Sequence, residues 1–220
     1  MLPKFKNSLL LETALTHRSA LNERISSSSE SNERLEFLGD AVLELITTKF
    51  LFNKFPNEPE GVLTAYRSSL VKTTTLAEVA IELSLGEKLY MSRGEEATGG
   101  RNNPGLLADT TEAIIGAIYL DQDYETTKQF LEKNLFNRFE QIKKEKLYQD
   151  SKSVLQEIVQ AKGFEAPIYK VTKEDGPDHD KQFTIEVLVN SQPTGIGVGK
   201  SKQLAQQAAA EEALKVLANT

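Results

Sequence analysis

Five carboxylates in two short stretches are the residues of this chain best arranged to do chemistry. The first stretch, Asn32-Glu-Arg-Leu-Glu-Phe-Leu-Gly-Asp40, carries Glu33, Glu36 and Asp40. Their spacing of three and then four residues sets all three on one stripe of an α-helix. The second, Leu106-Leu-Ala-Asp-Thr-Thr-Glu112, carries Asp109 and Glu112, three apart and again on one face. Leu35, Phe37, Leu38, Val42, Leu43 and Leu45 fill much of the remaining surface of the first helix, so both helices are predicted to be buried. Acids that meet on buried helices repel one another, and their pKa values rise. A divalent cation resolves the conflict. An all-oxygen ligand set selects a hard ion, Mg²⁺ or Mn²⁺, which keeps water ligands and takes phosphate oxygens. Water on such an ion is a nucleophile for phosphodiester hydrolysis, and the cation offsets charge on the attacking and leaving oxygens. Taken singly, each acid reads as well as a solvent-facing or salt-bridged residue; the joint pattern is what favours a metal.

Other chemistries fit less well. The chain has no cysteine, which removes disulfides, thiolate metal sites and cysteine nucleophiles. A di-iron carboxylate bundle needs Glu-x-x-His pairs, and the two histidines, His17 and His179, stand in no such motif. His17, in Thr16-His-Arg-Ser19, reads as a hydrogen-bonded structural histidine rather than a catalytic base. The net charge of −6 argues, by itself, against a nucleic-acid partner. Residues 1–11 lack the long apolar core of a secretory signal, and no stretch approaches the roughly 20 apolar residues of a membrane span. A cytoplasmic protein with no membrane partner is expected.

The elements that must position these acids fall into two textures. Up to about residue 146 the apolar residues recur at three- and four-residue spacing, notably over 35–51 and 107–120, which predicts an all-α domain. The Ser-rich run 26–32 reads as a mobile loop that offers N-cap residues to the following helix. The charged run 142–150 reads either as a helix end entering a linker or as one solvated helical face. Beyond it the order changes. Residues 153–162 predict a helix with Val154, Leu155, Ile158 and Val159 on one side. Residues 168–172, 182–189 and 193–199 predict strands, with Gly176 and Pro177 in a turn over 174–181. Residues 201–217 predict an Ala-rich helix with Ser201 as N-cap. The order α-β-β-β-α describes a small separate α+β domain.

The residues quoted resemble known motifs. Asn32 to Asp40 looks like the signature motif of ribonuclease III, and Leu107 to Glu112, with Ala-Ile-Ile-Gly-Ala-Ile-Tyr-Leu-Asp121 after it, resembles that family's second acidic motif. Ala14-Leu-Thr-His-Arg-Ser19 and Gly94-Glu-Glu-Ala-Thr-Gly-Gly-Arg101 also match family patterns, in family order. The resemblance covers nearly the whole chain. It implies an all-α ribonuclease III nuclease domain over 1–146 and an α-β-β-β-α double-stranded-RNA-binding domain over 150–220, the bacterial form. It implies that Glu36, Asp109 and Glu112 bind catalytic Mg²⁺, with Mn²⁺ as substitute, and that Asp40 and Glu112 are essential for hydrolysis. Glu33 and Glu60 match further acids tied to efficient processing, and read equally well as salt-bridge residues. Phe37 matches an aromatic at a homodimer interface. The implied reaction cuts double-stranded RNA, leaving 5′-phosphate and 3′-hydroxyl ends with short 3′ overhangs, on ribosomal-RNA precursors, messenger leaders and antisense duplexes.

In the second half the resemblance implies RNA contacts from Lys152, Ser153 and Gln156 on the first helix. It adds Pro177 and His179 in the turn, and Lys200, Ser201 and Lys202 at the start of the last helix. Such domains read the shape and 2′-hydroxyls of A-form RNA rather than sequence. Gln203 departs from the pattern, standing where a second basic residue is common, and Glu174, Asp175, Asp178 and Asp180 crowd the turn. Phosphate binding is local, so lysines on one edge act while acids elsewhere set the net charge. Two other readings stand beside this one: a non-catalytic double-stranded-RNA-binding protein, and an acidic helical interaction protein with no RNA partner.

Overall fold

A computed structural model describes residues 2–23, 25–144, 151–177 and 181–218. The chain divides into two compact units, Met1–Tyr148 and Gln149–Thr220.

The first unit is helical. Its elements are α1 (Ser8–Ala14), α2 (Ala20–Glu23), α3 (Glu33–Lys54), α4 (Glu60–Val71), α5 (Thr73–Glu82), α6 (Leu85–Lys88), α7 (Arg93–Ala97), α8 (Pro104–Asp121), α9 (Tyr124–Asn134) and α10 (Phe139–Lys144). Helix α8 is the centre. Its start follows from sequence: Asn103 accepts from the backbone N–H groups of Gly105 and Leu106, and Pro104 supplies the fixed φ favoured in a first turn. Leu107, Ala108, Ala113, Ile114, Ile115, Ala117 and Ile118 are all buried, as expected of a helix apolar nearly all round. The Thr111 hydroxyl donates to the Leu76 carbonyl at 3.1 Å and ties α8 to α5. Helix α3 lies along α8 with glycines at the crossing. A Cβ on Gly39 would collide with the Glu112 carbonyl oxygen, and one on Gly116 with that of Leu35. Phe50 and Phe136 stack at 4.2 Å, and Tyr66 meets Phe139 edge-on at 5.1 Å, closing the far end of the core.

Two expectations about α3 need correction. The helix is buried on one side only. Leu35, Val42, Leu43 and Ile46 face the core, whereas Leu45 is exposed and Phe37 is 81% exposed. Its width of apolar sequence therefore exceeds what the first unit itself covers. Nor does Asn32 cap the helix. Its backbone is already helical, at φ −71° and ψ −12°, and its side chain makes no capping bond. The loop before it is anchored rather than free. The Glu12 carboxylate accepts from Ser26 Oγ at 3.0 Å, and from Ser27 N and Ser27 Oγ at 2.6 Å each. These Ser27 bonds hold Glu12 below the usual carboxylate range.

The second unit runs α11 (Ser151–Ala161), β1 (Ile168–Asp175), β2 (Gln182–Val189), β3 (Gln192–Gly199) and α12 (Lys202–Ala218). The sheet is antiparallel with order β1-β2-β3. Asn190 and Ser191, with φ of 49° and 64°, make the tight left-handed turn that a two-residue hairpin needs. Leu155 and Val159 from α11, Ile185, Val187 and Val189 from β2, and Ala205, Ala209, Ala210 and Ala213 from α12 form the core. The alanines are there because α12 lies close on β3: a Cβ on Gly195 or Gly197 would strike the backbone of Ala209. Ser201 caps α12, accepting from the Leu204 N–H at 3.2 Å. Ile158, expected on the inner side of α11, is exposed. Strand β1 extends past residue 172 to Asp175, and Gly176, at φ 90°, begins the turn. Asp178, His179 and Asp180 of that turn, and residues 145–150 of the expected linker, lie outside the described residues.

Candidate metal centre

The α3–α8 glycine contact decides where the acids meet. With no side chain between Gly39 and the Glu112 backbone, Glu36 on α3 is carried up to Asp109 and Glu112 on α8. One carboxylate oxygen from each of Glu36, Asp109 and Glu112 lies within 4.8 Å of the others. All three are half-buried. Each carries the electrostatic mark of that position. Glu112 is pushed up to about 8, first by burial and then by the charges of Asp40, Asp109 and Glu36. Glu36 is raised by burial and by Asp109, Glu33 and Asp40. Asp109 is raised by burial, against a lowering influence of His17. The three acids compete for a shared positive charge, and an all-oxygen group of this kind can hold a divalent cation.

Asp40 is exposed one turn beyond Glu36 and acts on both Glu36 and Glu112 through its charge. Glu33 is exposed at the first turn of α3, 3.7 Å from Arg18 and accepting from Ser31 Oγ at 2.8 Å. Glu60 opens α4 and accepts from the Thr64 hydroxyl at 3.2 Å; it is not among the three grouped acids. Beside the group lies a cleft of about 260 Å³, bordered by Glu36, Asp109, His17, Arg18, Asn32 and Thr110. Sequence reading kept Asn32 and Thr110 inside the two acidic motifs but did not set His17 beside the acids. The His17 N–H donates to the Tyr90 carbonyl at 2.9 Å, across a gap of sequence that no local periodicity spans.

In the second unit, Ser153 and Gln156 are exposed on α11. Lys152 turns inward: its ammonium donates to Gln206 Oε1 at 2.6 Å and stands 5.1 Å above the Tyr169 ring. Pro177 is exposed after Gly176, and His179 lies outside the described residues. Lys200, Lys202 and Gln203 are exposed around the capped start of α12, where backbone N–H groups favour anions. Lys202 is ion-paired with Glu174 at 3.2 Å, and Glu174 also reaches Lys181 at 3.8 Å. Sequence alone placed Glu174 in the acidic turn, not on a strand end facing these lysines.

A family model described as Ribonuclease-III-like matches residues 7–139, and one described as Double-stranded RNA binding motif matches residues 151–217. Ribonuclease 3 of Geobacillus kaustophilus (strain HTA426) is 47% identical over 213 residues, covering 97% of this chain and 86% of the relative. Ribonuclease 3 of Enterococcus faecalis (strain ATCC 700802 / V583) is 46% identical over 213 residues, covering 96% and 91%. A crystal structure of the nuclease domain of ribonuclease III from Campylobacter jejuni aligns with a TM-score of 0.56 at 43% identity, covering 62% of this chain and 88% of that one. A second structure of that domain, concerned with flexibility in the region of its dimer formation, gives 0.54 at 44% identity, covering 60% and 90%.

Proposed function

The chain belongs to the ribonuclease III family, with the double-stranded-RNA endoribonuclease activity of that family, and we propose that it cuts its substrate with Mg²⁺ held by Glu36, Asp109 and Glu112. The observation that carries this is the three carboxylate oxygens within 4.8 Å of one another. Mn²⁺ suits the same hard, all-oxygen site. The ion, when bound, supplies Lewis acidity and a water nucleophile at the scissile phosphodiester.

The rest of the chemistry belongs to side chains. Glu112, pushed up to about 8, would give up its proton to a bound ion, and with Glu36 and Asp109 it would supply the oxygen ligands from two packed helices. Asp40, one turn along α3 and exposed, faces the substrate side and orients water at the phosphate. Glu33, paired with Arg18, supports the rim, and Glu60 lies farther along as an accessory acid. The products are 5′-phosphate and 3′-hydroxyl ends with short 3′ overhangs. That geometry needs two such sites across a duplex and hence a homodimer. The apolar surface of α3 supports the dimer: Phe37 and Leu45 stand out from the helix, and Leu9 and Leu120 are exposed as well. Residues 150–220 bind the duplex through Lys152, Ser153, Gln156, Pro177, His179, Lys200, Ser201 and Lys202, with Lys152 also joining α11 to Gln206 of α12. Residues 1–146 do the cutting. Structured ribosomal-RNA precursors and other duplex transcripts, met in the cytoplasm, are the substrates this reading names.

An end-labelled RNA duplex incubated with Mg²⁺ or EDTA tests it. Cutting to short duplexes with 5′-phosphates is expected only with Mg²⁺. Glu112→Gln should lower cleavage by at least about 100-fold, since it removes a charged ligand together with the electrostatic stabilisation the ion supplies, while duplex binding persists. Normal cleavage by that variant would sink the site assignment. Binding by the wild type without cutting would favour the non-catalytic reading.

A further inference from the structure

His17 borders the acidic cleft, and the proposed function leaves its chemistry unused. Its backbone is fixed, since Thr16 pairs with Tyr90 in an isolated parallel bridge and the His17 N–H donates to the Tyr90 carbonyl. Its ring is fixed too. Nδ1 lies 2.8 Å from Ser19 Oγ and 3.3 Å from the Ser19 backbone nitrogen. A backbone N–H can only donate, so the nitrogen that receives it must present a lone pair. Ser19 Oγ already accepts from the Ser92 backbone N–H at 3.0 Å, which leaves its own proton to donate to the same ring nitrogen. The backbone N–H therefore requires an unprotonated Nδ1, and the Ser19 hydroxyl is free to donate to it as well. The neutral ring then carries its proton on Nε2, at the edge away from Ser19.

We propose that His17 is a positioning residue for the metal centre: locked as the Nε2–H tautomer by Ser19 and Ser92, it donates to an oxygen sharing the cleft with Glu36 and Asp109. This rests on the metal-centre reading. The chemistry recognised is an oxygen polarised by a cation, and it has two sources, a metal-bound water or a non-bridging phosphate oxygen of the duplex. A donor beside the ligands fixes that oxygen as partners of metal ligands do elsewhere, where their loss costs roughly 10–100-fold in metal affinity or activity. The relay runs from Ser92, which caps α7, through Ser19 to the ring that borders the cleft.

The tautomer is read directly by long-range ¹H–¹⁵N correlation on the metal-free protein, where two histidines give a simple spectrum. The Nε2–H pattern is expected for His17, and an Nδ1–H pattern in the wild type would overturn the proposal. In parallel, His17→Ala should lose roughly 10–100-fold in metal affinity or in kcat/KM. His17→Gln, which places an amide N–H near the Nε2 position, should recover most of it. Mn²⁺ affinity measured without RNA separates the sources: a fall in His17→Ala assigns the oxygen to metal-bound water, and a loss confined to kcat/KM assigns it to phosphate. Variants that melt with the wild type and lose neither quantity would overturn the proposal. A wild type that neither binds Mn²⁺ nor cuts would instead overturn the metal-centre reading, and the tautomer measurement would still decide the state of His17.

Discussion

A carboxyl that keeps its proton to about pH 8, as Glu112 does, holds the place of another cation. Its folded pKa lies above the ordinary value of 4.5, so between those limits the folded protein binds more protons than the unfolded chain. By linkage, that contribution to stability is complete below the lower value and is lost as pH rises through the upper one. The metal-free wild type should therefore lose melting temperature from about pH 5 to about pH 9 more steeply than Glu112→Gln, which has no proton to lose. Thermal melts in EDTA check this, and parallel slopes would contradict it. Metal loading reverses the sign of the problem: binding expels the proton, so apparent Mg²⁺ affinity should rise up to about pH 8. At this scale helical period made legible that Glu36 shares a face with Glu33 and Asp40, and Asp109 with Glu112; the choice of Glu36, Asp109 and Glu112 as one group came from the resemblance, and one oxygen of each lies within 4.8 Å of the others. Read from sequence, His17 is a hydrogen-bonded structural histidine, and the ring is bonded to Ser19; the partner was not legible, because the Ser19–Ser92 relay spans 73 residues and leaves no periodic trace.

Between helices, the close approach of α3 to α8 is what brings Glu36 to Asp109 and Glu112. Gly39 and Gly116 allow it. In Gly116→Ala the new methyl meets the Leu35 carbonyl, a backbone atom that cannot rotate away, so the helices must part. A loss of about 1–3 kcal/mol is expected, the usual cost of overpacking a core. Weaker metal binding should accompany it, since Glu36 moves away from Asp109 and Glu112. Calorimetric unfolding and Mn²⁺ titration on one preparation test both, and a destabilised variant with unchanged metal affinity would separate the packing from the site. The element reading of the sequence erred where tertiary context outweighs local pattern. Apolar Phe37 and Leu45 suggested a helix buried all round, yet both face outward. Asn32 has the composition of a cap, but helical backbone already begins at it, and the preceding serines are held by Glu12 instead. In the second unit the strand period and the Gly/Ala complement of β3 and α12 made the order legible, with ends displaced by a few residues.

For the whole molecule, the outward face of α3 bears on a protein partner and the charge of −6 on a nucleic-acid partner. A surface with Phe37 81% exposed is costly in water unless another surface covers it. If two copies share that patch, Phe37→Arg should shift sedimentation to the monomer and reduce double-strand cutting to single-strand nicks or none. An unchanged dimer would remove Phe37 from the interface. The acidic total bears on long-range steering, not on contacts made at one edge. Lys200 and Lys202 stand at the capped start of α12, and Lys202 is drawn to Glu174. A duplex phosphate must compete with that carboxylate, so binding should be weak at moderate salt and steeply salt-dependent. The slope of log Kobs against log salt should fall by about 1 for Lys200→Gln and again for Lys202→Gln, with little dependence on RNA sequence. The competing acid makes a further demand on the same plot: Glu174→Gln frees Lys202 and should tighten binding at every salt concentration. A slope untouched by all three changes would place the phosphate contacts elsewhere on the second unit.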